Sequence, residues 1–242
     1  MKRLLLIPLC FLLALPLAAC GRTSPGLSLK PSPSPAPLGT PGPAAKGNTV
    51  IYNGVVLGRW DGSKWMAESD IPNAANIGDY LTYGNGNKLA VETEITLTMT
   101  EDYTNNEVGK NGIAPTIASM LLEKGIETPV YITQLYKVRI NGADTSILAA
   151  SNLDEPESAG QPQYSMLIVL WDTLDYEALF FDTLANPGET NSLTAQYRLA
   201  EAADLNGDHQ TELIIEITDG ENISYAIFAQ NDNGDFVEVA KS

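Results

Sequence analysis

A mainly β domain built from antiparallel, blade-like meanders is predicted by three features of the chain. Apolar residues recur with period two, most clearly over 88–100. Turn dipeptides of the Asn-Gly and Asp-Gly type punctuate the apolar runs at 53–54, 61–62, 141–142 and 206–207. The second half repeats itself, with an order of strand, Asn-Gly loop, strand, strand, strand occurring twice.

The elements follow in order from the N-terminus. "MKRLLLIPLCFLLALPLAAC" opens with Lys2 and Arg3 and runs apolar from Leu4 to Ala19. This is the layout of an export signal, and Pro8 and Pro16 make it a poor spanning helix. It ends Leu17-Ala18-Ala19-Cys20, which resembles the lipobox of bacterial lipoproteins. The resemblance implies a signal peptide over 1–19, acylation of Cys20, and anchorage on the extracytoplasmic face of a bacterial cell envelope without a spanning segment. The chain's other cysteine, Cys10, would leave with the signal, so no disulfide is expected. Residues 20–48 combine Cys20 with a Pro-, Ser- and Gly-rich stretch that has no apolar period, and read as an extended tether.

Residues 49–242 are expected to form one domain. "TVIYNGVVLGRWDGSKWMA" (49–67) reads as short strands joined by tight turns, and 68–87 as loop. "KLAVETEITLTMT" (88–100) places Leu89, Val91, Ile95, Leu97 and Met99 on one face, the pattern of a long half-buried strand. "APTIASMLLEKG" (114–125) reads as one short helix, with Pro115 in its first turn and Gly125 past its end. Ile117, Met120, Leu121 and Leu122 would form its buried stripe. The repeat then sets 134–152 beside 196–218. It is continued by 164–171 and 176–183 in the first unit, and by 223–230 and 235–240 in the second. Each unit is a four-stranded meander of the kind that forms a propeller blade. Two cannot close a ring, so the units would pack face to face or extend into one curved sheet, with the N-terminal strands and the helix covering an edge.

The most specific motif lies in "ADLNGDHQTELIIEI" (203–217). Asp204, Asn206 and Asp208 alternate, Glu212 follows, and an apolar strand begins. Calcium takes six to eight oxygens at flexible geometry, and a tight loop can turn alternate side chains toward one centre. An EF-hand would need Gly where His209 stands and Glu where Ile215 stands, followed by a helix. The loop instead resembles the calcium loops of FG-GAP repeats, the integrin-alpha-type, VCBS-like blades. The resemblance implies Ca2+ ligands at Asp204, Asn206, Asp208, Glu212 and the Gln210 carbonyl, and covers 130–242. His209 departs from the Gly usual at its position in that family, so a metal site and a purely structural turn both remain open. The first unit carries Arg139, Asn141, Ala143 and Asp144 at this point, which reads as a copy that kept the turn and lost the ligands.

Function is bounded more loosely. The net charge of −16, or −18 once Lys2 and Arg3 leave with the signal, argues against nucleic acid and against anionic lipid as partners. No Gly-x-Ser-x-Gly, His-Glu-x-x-His or Cys-x-x-Cys motif occurs, and "GNGNKLA" (84–90) is a hairpin turn more than a phosphate loop. The expectation is a non-catalytic, membrane-anchored protein with a binding or structural role and an envelope protein or glycan as partner. The alternative is an envelope hydrolase using paired carboxylates, drawn from Asp172 and Asp175 or from Asp154, Glu155 and Glu157. Trp60, Trp65 and Trp171 offer either core packing or a sugar- or peptide-binding platform.

Overall fold

The computed structural model describes residues 47–71, 80–158, 160–172, 175–188 and 192–242. The signal peptide, Cys20 and the tether up to residue 46 lie outside the described residues, as does 72–79 of the expected loop.

The described residues form fifteen strands and one α-helix. The strands are β1 (Asn48–Tyr52), β2 (Val55–Trp60), β3 (Trp65–Ala67), β4 (Leu81–Tyr83), β5 (Leu89–Val91), β6 (Thr96–Leu97), β7 (Thr100–Asp102), β8 (Ile132–Ile140), β9 (Ala143–Ser151), β10 (Gln163–Asp172), β11 (Asp175–Leu184), β12 (Ala195–Asp204), β13 (Glu212–Asp219), β14 (Asn222–Gln230) and β15 (Phe236–Lys241); α1 is Glu107–Glu123. They form three five-stranded sheets: N-terminal (β3-β2-β1-β5-β4), middle (β11-β10-β9-β8-β7) and C-terminal (β15-β14-β13-β12-β6). Every strand pairing is antiparallel. The middle and C-terminal sheets are the two repeat units, each a four-stranded meander with the same strand order and one added edge strand. Among the described residues no barrel or propeller closes.

The units pack face to face. Val138, Ile147 and Leu167 of the middle sheet meet Leu213, Ile215 and Phe228 of the C-terminal sheet in one core. Val50, Leu57 and Leu89 of the N-terminal sheet cover the opposite face of the C-terminal sheet, against Ile214, Tyr225 and Ile227. Helix α1 lays Ile117, Met120 and Leu121 on the outer face of the middle sheet, against Leu148, Met166 and Ile168. The N-terminal strands and the helix therefore cover faces, not an edge. This arrangement explains the near-continuous apolar runs of β10 and β13, since a strand covered on both faces has no polar side to alternate with.

The expected strand over 88–100 is divided among all three sheets: β5 pairs with β1 and β4, β6 with β12, and β7 with β8. The division begins where the buried Asn48 carboxamide accepts the N–H groups of Glu92 (3.0 Å) and Thr93 (3.2 Å), drawing the chain out of the ladder. Beyond it Met99, expected on the buried face, is 75% exposed. Two meander edges remained to be paired, and short successive strands of one crossing segment pair both. Asn48, placed in the tether by its sequence neighbours, is thus a buried member of β1.

The helix starts seven residues before the expected Ala114, capped by Asn106, whose side chain accepts the Gly109 N–H at 2.9 Å. Gly109, Gly112 and the internal Pro115 are poor helix formers, which concealed this first half in the sequence. Leu122 is 65% exposed and outside the buried stripe. The C-terminal stop is as expected. Gly125 (φ 73°) reverses the chain, its N–H reaches the Leu122 carbonyl, and the Ile126 N–H reaches that of Leu121.

One close approach fixes the spacing of two sheets. A Cβ on Gly58 of β2 would lie 2.7 Å from Ala240 Cβ of β15 and 3.0 Å from the Met66 carbonyl oxygen. Gly58→Ala should therefore cost about 1–3 kcal/mol by overpacking. Thermal melts of the variant and wild type check this; equal midpoints would mean the two sheets are not held at that distance.

Candidate functional site

The loop joining β12 to β13 is organised by its own acidic side chains. Asp204, the last residue of β12, accepts the Gly207 N–H at 2.7 Å through Oδ1 and the His209 N–H at 3.0 Å through Oδ2. Asn206 Oδ1 accepts the Asp208 N–H at 2.9 Å, and Asp208 Oδ1 accepts the Gln210 N–H at 2.7 Å. Asn206 Nδ2 donates to Asp208 Oδ2 at 3.2 Å. These are Asx-type turns, the reason Asp and Asn occupy alternate positions whether or not a metal is present. Two residues take left-handed backbone, Gly207 (φ 80°) and His209 (φ 68°). His209 bears the conformation for which glycine is the usual residue, and its exposed ring lies 3.7 Å from Asp204 Oδ2.

Glu212 opens β13 and is 1% exposed. Its Oε2 accepts the Leu205 N–H at 2.7 Å, closing the loop across its base. Burial, reinforced by the negative charges of Asp208 and Asp204, pushes the Glu212 carboxyl up to about 9. Burial also raises Asp204, against the opposing effect of the two N–H groups it accepts. The five residues predicted from sequence thus occupy one loop, and three of its carboxyls sense one another electrostatically. Among the described residues no group of three or more His, Cys, Asp or Glu side chains forms a ready-made metal cluster. The carboxylates hold backbone N–H groups instead. Each has lone pairs to spare, so these bonds do not preclude a cation. Three carboxyls in one loop, once ionised, are a donor set suited to a hard divalent ion.

Residues distant in sequence position the loop. Asn48 Nδ2 donates to the Leu205 carbonyl at 2.6 Å, so one buried carboxamide joins the N-terminal sheet, the 92–93 turn and the loop. Thr98 and Thr211 share a hydroxyl contact at 3.1 Å. Asn141 Oδ1 accepts the Thr211 N–H at 3.2 Å. The first-unit turn thus contacts the loop of the second unit. Asn141-Gly142 (φ 50° and 84°) is a two-residue hairpin turn, and Arg139 pairs with Asp144 across it at 3.4 Å. Its Asn serves as a prop for the loop of the other unit. A lone Asn in a turn gives no sequence signal of such a contact.

The tryptophans divide. Trp60 and Trp65 are register partners in β2 and β3, with ring centroids 5.8 Å apart. Trp171 stacks on Phe236 at 6.2 Å. Of the acidic residues considered for catalysis, Asp154 accepts the Gln196 side-chain amide at 2.8 Å, and Asp172 is the register partner of Asp175 across the β10–β11 turn. No described helix is long and apolar enough to cross a membrane. Compared with protein families, with curated proteins and with solved structures, the chain gives no significant match.

Proposed function

We propose that this is a non-catalytic, lipid-anchored lipoprotein of the bacterial envelope, with an extracytoplasmic β domain used for binding or assembly and one structural calcium loop of the FG-GAP type. The observation that carries the calcium part is the buried Glu212 carboxyl, within electrostatic reach of Asp204 and Asp208, at the base of a loop whose alternate side chains are already fixed. Asp204, Asn206, Asp208, Glu212 and the Gln210 carbonyl would hold the ion, which would tie β12 to β13. The competing hydrolase reading finds its best-tuned acid here too. Against it, Glu212 is 1% exposed and its carboxyl is engaged by the Leu205 N–H.

Extracellular calcium modules have dissociation constants of about 10⁻⁴–10⁻³ M. At about 10 mM Ca2+ linkage then gives roughly 1.4–2.7 kcal/mol, or roughly 3–10 °C in melting temperature for a domain of this size. Asp204→Ala with Asp208→Ala should abolish the rise. A wild-type melting curve that ignores calcium would refute the metal. For the anchor, support comes from the Leu17-Ala18-Ala19-Cys20 sequence and the tether behind it. Cys20→Ala should move the protein from the membrane to the soluble fraction on cell fractionation, and retention of the variant would point to another attachment.

A further inference from the structure

The loop of the C-terminal sheet shares a cavity with the aromatic β2–β3 hairpin. Glu212 lies on the side of β13 that carries Ile214, which packs on the N-terminal sheet. There the loop lines a cavity of about 380 Å³ together with Trp60, Lys64 and Trp65 and with residues of β14 and β15. Asn206, Asp208, Gln210 and Glu212 are the loop's contribution. The volume falls within the range of small-molecule sites, which combine apolar surface with a few convergent polar groups.

The chemistry of the walls selects the occupant. The Trp60 and Trp65 rings are inclined at 59°, presenting flat apolar surface from two directions. Both indole N–H groups are buried with no acceptor among the described residues. Lys64 adds a charged donor, and the Asp208 and Gln210 side chains add acceptors. A site with donors and acceptors side by side suits hydroxyl groups, which do both. An anion would meet Asp208 within a chain of net charge −16, and an organic cation would meet Lys64. A pyranose satisfies all the demands, with a C–H face for an indole and hydroxyls for the polar rim.

We propose that this pocket binds one sugar unit of a neutral glycan. The assignment rests on the reading of the protein as a binding module and names its ligand class. Gly58 lets β2 approach β15, and Asn48 holds Leu205, so both position elements that line the cavity.

The test uses the purified full-length chain in a non-glycosidic detergent. Chitotriose, cellotriose and mannotriose are titrated by tryptophan fluorescence and calorimetry, with products analysed for new reducing ends. At least one trisaccharide should bind saturably. Trp65→Ala and Gln210→Ala should each weaken it at least tenfold, and Trp171→Phe should leave it unchanged. Should Trp65→Ala fail to fold, the exposed Gln210→Ala variant decides alone. Absence of binding by all three sugars, or binding indifferent to these variants, overturns the proposal. The calcium reading fails separately. A calcium-dependent melting shift without sugar binding overturns the pocket alone, whereas variant-sensitive sugar binding without a calcium shift upholds the pocket and removes the metal. New reducing ends would uphold the pocket and overturn the non-catalytic role.

Discussion

Asn48→Ala is expected to lower the melting temperature by roughly 10 °C. The side chain is 1% exposed and makes three hydrogen bonds, donating to the Leu205 carbonyl and accepting from the Glu92 and Thr93 N–H groups. Alanine would leave all three backbone groups without that partner, where one such loss costs about 1–3 kcal/mol. Partial relaxation brings the expected total to about 3–5 kcal/mol, and a domain of this size shifts by about 2–4 °C per kcal/mol. The calcium response should shrink as well, because the Leu205 carbonyl ties the loop to the N-terminal sheet. Thermal melts with and without calcium provide the check. A midpoint change of under about 2 °C would show that the carboxamide is not the junction described above.

Glu212→Gln should flatten the pH dependence of stability and reverse its stability ranking against wild type when calcium is added. Without calcium the folded protein holds a Glu212 carboxyl raised to about 9 from its ordinary value of 4.5. Over that interval the folded state keeps a proton that the unfolded chain releases, so stability is greatest below the unfolded value and is lost as pH rises toward the folded one. The slope is at most about 1.4 kcal/mol per pH unit. Asp204, also raised by burial, acts in the same direction. The glutamine variant keeps the acceptor for the Leu205 N–H and removes the titration. At pH 8 without calcium it should be more stable than wild type, with a flatter pH profile. Calcium should reverse the ranking, since it requires the ionised carboxylate and binding would release protons. Denaturant midpoints between pH 5 and 9, in chelator and in calcium, measure both effects. Parallel profiles for the two proteins would mean that Glu212 carries no uncompensated proton.

How much of this was legible beforehand differs by residue. The Asp204, Asn206 and Asp208 alternation is local, and the turns it makes close within five residues, so sequence spacing was sufficient. The meander repeat was legible for a similar reason. Hairpin strands pair with their chain neighbours, and Asn53-Gly54 and Asn141-Gly142 adopt the left-handed turn conformations that such dipeptides favour. The apolar runs of β10 and β13 indicated strands, but not which sheet would cover which face. The 88–102 segment shows where pattern misleads. Period two establishes that alternate residues can share a face. It does not establish that one partner runs the full length, and here three sheets each claimed a few residues. The helix start was hidden because glycines and Pro115 lower propensity, while a distant middle sheet supplies the burial that holds the rest.

The sequence by itself determined the β architecture, the two repeat units and the loop that carries the acidic set, because each depends on hydrogen bonds between residues a few positions apart. Only the tertiary structure decided that Asn48 and Asn141 brace that loop and that Trp60 and Trp65 line a cavity with it. Those contacts span up to 157 positions. They depend on which faces pack together, and that is settled by burying apolar area over the whole domain, which carries no mark in any short stretch of chain.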